Sequence, residues 1–195
     1  LKGAEDDLGQ IIRNFPSFAQ RQDALFSWAE ILFQLEQWQR ARLAFLEYKK
    51  EFPDSSRWSL ASKYQISATQ NLGSSGKFQN ILLDDITALL EDERISEVER
   101  SNYLFIWAAT LYEQDKFDSA LGLLRKLLKE NKNRSQLDEI HLLMAMSYNG
   151  LGGKESAFAL HAEQALSLNP TFPEADQLRL NLFNTYLKLL QSGSE

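Results

Sequence analysis

Large apolar side chains recur along this chain at spacings of three and four, with polar residues between them. That is the period of helices buried along one face. The pattern breaks at Gly, Pro and short polar clusters. It predicts helices over about 4–14, 20–35, 38–51, 56–72, 77–91, 96–114, 117–130, 135–150, 154–168 and 172–191. Ser96 with Glu99, and Ser135 with Asp138, have the spacing of N-terminal capping boxes or their acidic variant. The junctions "LGSSGK" (72–77) and "LGGK" (151–154) put glycine where one helix must stop and the next begin. Pro16, Pro53 and Pro170 each fall just after a helix, where the ring disrupts no interior hydrogen bond. "QSGSE" at the end reads as a frayed polar tail.

The apolar phrases repeat. "LFSWAEILF" at 25–33 returns as "LFIWAATLY" at 104–112, displaced by 79 positions without a gap. Leu25, Phe26, Trp28, Ala29, Leu32 and Ala41 recur as Leu104, Phe105, Trp107, Ala108, Leu111 and Ala120, while Phe33 becomes Tyr112 and Trp38 becomes Phe117. Such an offset is two units of about 39 or 40 residues, with a third unit between them. "IIRNFPSF" at 11–18 echoes "YKKEFPDS" at 48–55, and at the same offset Ala4 matches Ala41 and Leu8 matches Phe45. The chain thus opens on the second helix of a unit, and the last helix reads as the first half of another.

Composition narrows the fold class to all-α. Leucine occurs 33 times, threonine five times and valine once, at Val98, whereas strands favour β-branched residues. The net charge of −6 and a pI near 5.1 disfavour a nucleic-acid or anionic-membrane surface. The absence of cysteine removes disulfides, thiolate metal sites and cysteine nucleophiles. No apolar run approaches the roughly 18 residues of a membrane-spanning helix, so no direct membrane insertion is expected. The chain begins at Leu1 and is read as a mature or truncated piece.

The repeated phrases resemble the tetratricopeptide repeat. In Gln22–Pro53, Leu25, Trp28, Ala29 and Leu32 stand at the first-helix signature, and Ala41, Phe45 and Pro53 at the small, aromatic and proline positions of the second. Leu104, Trp107, Ala108, Leu111, Ala120 and Leu124 repeat the pattern, as do Ala145, Tyr148, Gly152 and Ala157 with "ALSLNP" at 165–170. The unit near 56–93 departs from it, with Ile81 and Asp85 at the small and aromatic positions. The resemblance implies a right-handed α-solenoid of helical hairpins forming a single repeat domain over 1–195. Its parts are a partial unit at 1–16, units near 20–53, 56–93, 96–133 and 135–170, and the last helix. Alanines allow close helix approach, Trp28 and Trp107 fill the space between units, and stacking supplies the core that one hairpin lacks.

No catalytic residue, metal site or cofactor is expected. His141 and His161 lie on different helices without metal-ligand spacing, so both are read as structural or solvent-facing. "GSSGKF" (73–78) and "GLGGKES" (150–156) lack the glycine spacing of a phosphate loop and join helices rather than following a strand. Asp84, Asp85, Glu91, Asp92 and Glu93 read as acidic helix surface. Arg125, Lys126, Lys129, Lys132 and Arg134 complement a helix C-terminus.

The surplus of rings points to binding. Phe26, Glu30 and Phe33 form a stripe beside the packing face, repeated by Phe105, Ala109 and Tyr112 and then by Leu142, Met146 and Asn149. The resemblance implies that this stripe lines a concave groove for a partner protein or peptide; the rings and the acidic surface of this chain point to a partner with apolar anchors and a basic flank, and the competing reading buries the rings in the core. Members that clamp a C-terminal carboxylate carry Lys and Asn where this chain has Phe26, Glu30, Phe105 and Ala109, so no such clamp is expected. "YKKEFPDS" also resembles unit junctions of bacterial cell-envelope repeat proteins, which implies a periplasmic or outer-membrane-associated scaffold, with a cytoplasmic location as the alternative. The expected function is non-enzymatic protein binding. The alternatives are an accessory or regulatory module of a larger protein and a subunit that self-associates through open solenoid ends.

Overall fold

The structure, a computed structural model, describes residues 1–15, 17–73, 75–130 and 136–192. Among the described residues there are ten helices and no strand: α1 (Lys2–Asn14), α2 (Arg21–Gln34), α3 (Trp38–Glu51), α4 (Trp58–Gln70), α5 (Gly76–Leu90), α6 (Glu97–Glu113), α7 (Phe117–Glu130), α8 (Leu137–Leu151), α9 (Glu155–Leu168) and α10 (Ala175–Ser192). Each begins and ends within three residues of its expected bounds. The chain divides into two compact units, Leu1–Ile95 and Ser96–Glu195. Within each, neighbouring helices pack in series as hairpins, which is the all-α, tetratricopeptide-like solenoid arrangement. Pro16, Ser74, Lys132, Arg134, the Ser135 half of the second capping box and the tail beyond 192 lie outside the described residues. The first capping box is formed. Ser96 Oγ accepts from the Glu99 backbone N–H, and Glu99 accepts from the Ser96 backbone N–H at 3.1 Å.

The 79-residue echo extends to the backbone. After α2 the Gln37 N–H donates to Leu32 O at 2.9 Å and the Glu36 N–H to Phe33 O at 3.0 Å. After α6 the Lys116 N–H donates to Leu111 O at 2.9 Å and the Asp115 N–H to Tyr112 O at 2.9 Å. Both are Schellman closures, which need a left-handed residue after the helix. Glu36 and Asp115 fill that place with φ of 57° at each, although neither is glycine. At the expected glycine junctions, Gly73 and Gly152 have φ of +113° and +67°.

The first unit has a ring-filled core. Ala29 and Ala41 are fully buried, so α2 and α3 meet closely. Beside that contact, Phe26 meets Phe45 and Tyr48 edge-on at centroid distances of 5.8 and 5.1 Å. Tyr64 of α4 stacks on Phe45 at 5.1 Å and meets Phe33 edge-on at the same distance. A side chain built at Gly9 of α1 would stand 3.3 Å from Trp28 Nε1, so the indole lies against α1 in the unit-joining place expected of it. Arg21 fastens three helices. It donates to both carboxylate oxygens of Glu51 at 2.8 Å and to the Ile12 carbonyl at 2.7 Å. At the far end, Arg94 donates to Pro53 O at 2.7 Å and lies 3.9 Å over the Trp58 ring, which Lys49 also approaches at 5.0 Å.

Asp85 corrects the sequence expectation of an acidic surface. It is only 7% exposed and accepts two hydrogen bonds from Arg42 of α3, Nε to Oδ2 at 2.7 Å and Nη2 to Oδ1 at 2.6 Å. Thr69 Oγ1 of α4 lies 2.9 Å from Oδ2. A charge-assisted triad therefore occupies the place where other units put an aromatic ring. Its neighbour Asp84 is exposed as expected.

In the second unit Ala108, Ala120, Leu121, Leu124 and Ala145 are fully buried. Ala157, expected at a small packing position, is half-exposed; the buried residues of α9 are Phe158, Ala159, Ala162 and Ala165. The packing register on α9 is thus shifted relative to α3 and α7, and Phe158 stands fourth in its helix where Ala41 and Ala120 stand fourth in theirs. Gly150 lets the Phe117 ring lie directly against α8, since a Cβ there would fall 2.5 Å from it. α10 packs on α9 through Ala175 and Leu178, while Leu180, Phe183, Leu187 and Leu190 form an exposed apolar stripe.

Asp85→Ala should lower unfolding stability by about 3–5 kcal/mol, because it leaves the Arg42 charge buried without a partner. The double change Arg42→Met, Asp85→Leu should restore most of that loss. Urea denaturation of the three proteins checks this. A double variant no more stable than Asp85→Ala would contradict it.

Candidate partner-binding face

The nine stripe residues fall in three structural settings. Phe26 is only 3% exposed and belongs to the core of α2, α3 and α4, with the Arg57 guanidinium 5.2 Å over its ring. It is a packing residue and presents no free face, because this unit's core is built from rings. Glu30 and Phe33 are half-buried on the same helix. Phe33 lies edge-on to Trp38 at 5.0 Å, where α3 begins. Tyr112 repeats that contact with Phe117 at 5.6 Å, and burial together with the Asp115 charge raises its hydroxyl pKa. The rings at 33 and 112 therefore brace the two equivalent turns. Phe105, Ala109, Leu142 and Met146 are half-buried, and Asn149 is exposed. These five lie on α6 and α8, which touch each other within the second unit.

Leu142 opens into a cleft of about 410 Å³, lined also by Phe172 and by the carboxylates of Asp138, Glu139 and Glu174. Burial and the neighbouring Asp138 charge hold the Glu139 carboxyl above its usual pKa. The Asn169 side chain donates to Asp138 Oδ2 at 2.9 Å, which fixes one wall. The cleft combines apolar surface with negative charge and suits a side chain that is both greasy and cationic. Asn149 lines a separate, smaller space of about 110 Å³ with Lys154 and Lys188.

The histidines make a contact that the sequence did not signal. His141 of α8 and His161 of α9 face each other with their Nδ1 atoms 2.8 Å apart, so one ring donates to the other. Tyr148 stacks on His161 at 5.6 Å, and Arg125 donates to the Tyr148 hydroxyl at 3.0 Å. Nothing in their spacing of 20 residues signals this meeting, which depends on the register between α8 and α9. Burial, then the His141 and Arg125 charges, lower the His161 pKa from 6.5 to about 4; burial lowers that of His141. Among the described residues, no group of three or more histidines and carboxylates is placed to hold a metal ion. No helix among them is long and apolar enough to cross a membrane.

Serial helical hairpins closed by duplicated turns define a helical-repeat protein, a fold that is typically non-catalytic. Residues 23–55, which take in most of α2, the turn after it and α3, match the tetratricopeptide-repeat family model. Repeats of this kind generally mediate protein–protein contacts. No curated protein matches the chain.

Because the folded state binds protons at His161 less readily than the unfolded chain, stability should rise with pH between 4 and 6.5. The contribution is complete above pH 6.5 and lost as pH falls towards 4. In chelator-treated buffer, the wild-type denaturation midpoint should drop more steeply across that window than that of His161→Gln. Parallel profiles would show that the pair does not act in this way.

Proposed function

We propose that this chain is a non-enzymatic scaffold that binds a segment of a partner protein on its α6–α8 face. The acidic, apolar-lined cleft at Leu142 receives an anchor side chain flanked by Lys or Arg. The observation that carries this reading is the convergence of Leu142 and Phe172 with Asp138, Glu139 and Glu174 around one space. Three carboxylates there favour basic partners over acidic ones and speed encounter. Half-buried Phe105 and Met146 lie on the same two helices and supply further apolar area. The net charge of −6 acts in the same direction.

Panning a random peptide library against the full chain should enrich sequences with an apolar residue beside Lys or Arg. Glu139→Lys with Glu174→Lys should weaken the enriched peptides by about tenfold or more, equal to at least about 1.4 kcal/mol. Phe26→Ala should instead cost about 3–5 kcal/mol of stability and leave the affinity of the folded fraction unchanged. Enrichment of acidic peptides, or unchanged affinity in the double variant, would overturn the reading.

Self-association is the second reading, favoured by the exposed stripe Leu180, Phe183, Leu187 and Leu190 on α10. An unpartnered apolar helix face of this length fits the same face of a second copy in an isologous dimer. Light scattering over a concentration series should show dimers that Phe183→Lys abolishes. A monomer at every concentration contradicts this reading.

A further inference from the structure

Peptide binding makes no use of the histidine pair in the second unit, which joins the second turn of α8 to the middle of α9. We propose that His141 and His161 form a two-imidazole site for a divalent transition metal that favours right-angle coordination, Cu(II) or Ni(II), with water in the remaining positions. The separation of the facing nitrogens, set in the free protein by their hydrogen bond, is compatible with that geometry. Two nitrogens about 2.0 Å from one ion stand about 2.8 Å apart across a right angle and about 3.3 Å apart across a tetrahedral one. The Nδ1 atoms are 2.8 Å apart, close to the right-angle separation. That arrangement needs each ring to turn until its lone pair points at the ion. The rings are tilted by 31° to each other and both are partly exposed.

The protonation state suits the task. A metal ligand must be a bare imidazole nitrogen, and burial lowers the proton affinity of both rings. The ring that donates in the free protein carries its proton on Nδ1. On metal binding that proton moves through solvent exchange to its own Nε2, so two neutral rings bind the ion with no net proton release. Tyr148, stacked on His161, restricts the motion of that ring. Arg125 is the opposing element. Its guanidinium lies 5.9 Å from the Tyr148 ring centroid and contributes positive charge at His161.

The test uses the full chain, stripped with chelator and then titrated calorimetrically with copper(II) or nickel(II) salts. One ion should bind per chain and raise the thermal midpoint, since the ion binds the folded pair. His141→Gln and His161→Gln should each weaken binding by at least about tenfold, the lower bound seen for losing an outer-shell partner. Arg125→Gln should tighten it. Electron paramagnetic resonance of the copper form should show two nitrogen ligands in the wild type and one in either histidine variant. Wild-type affinity retained in both variants, or a copper spectrum without nitrogen coupling, would overturn the proposal. Glutamine keeps a hydrogen-bonding group at each position, and circular dichroism of the variants separates lost binding from lost fold.

Discussion

The fold depends on how closely two helices of a hairpin can approach. Ala29 and Ala41 in the first unit, and Ala108 and Ala120 in the second, are all fully buried, and each pair stands at the same place in its hairpin. A larger side chain at any of them would push the helices apart and forfeit dispersion contacts along the seam. The left-handed turn at Glu36 and Asp115 then sets where the second helix begins, so the close approach occurs in one register. Non-glycine residues in that conformation carry a cost of about 1–2 kcal/mol each. The Schellman hydrogen bonds and the ring brace at Phe33–Trp38 and Tyr112–Phe117 offset it.

Given that seam, the units differ in what fills the space beside it. The first hairpin fills it with rings, and Phe26 is consumed in doing so. Between α3 and α5 the filling is polar: Arg42, Asp85 and Thr69 satisfy one another where other units place an aromatic residue. A buried ion pair adds little net stability over an apolar core, but it penalises any register that leaves either charge unpaired. In the second unit the α8–α9 hairpin closes over Phe158 and Ala162, and the shift of its packing register brings two histidines face to face.

Much of the fold was legible in the sequence because it rests on local rules. Helix periodicity, the Ser96–Glu99 cap, the junction glycines and the 79-residue echo each act over short stretches or by direct repetition, and the structure has them where the residues place them. Side-chain destinations were less legible. The stripe of Phe26, Phe33, Phe105 and Tyr112 looks uniform in sequence, yet its members end in the core, at turns or on a half-open face. That choice is made by partners distant in sequence, such as Tyr64 against Phe26 and Phe33. Asp85 read as surface because Arg42 lies 43 residues away, and the histidine pair depends on the interhelical register of α8 and α9. Helical spacing reports which face a residue occupies, not what covers that face.

The account therefore gives equivalent stripe positions different destinations: Phe26 is buried structure in the first unit, whereas its counterpart Phe105 is half-open in the second. Fluorine NMR of the chain labelled with 4-fluorophenylalanine, with a soluble paramagnetic relaxation agent, compares the two directly. Resonances are assigned by substituting Phe26 and Phe105 singly with Leu. The Phe105 signal should relax strongly on adding the agent, and the Phe26 signal should be protected, because Phe26 is 3% exposed and Phe105 is half-buried. Equal relaxation at the two rings would contradict the division.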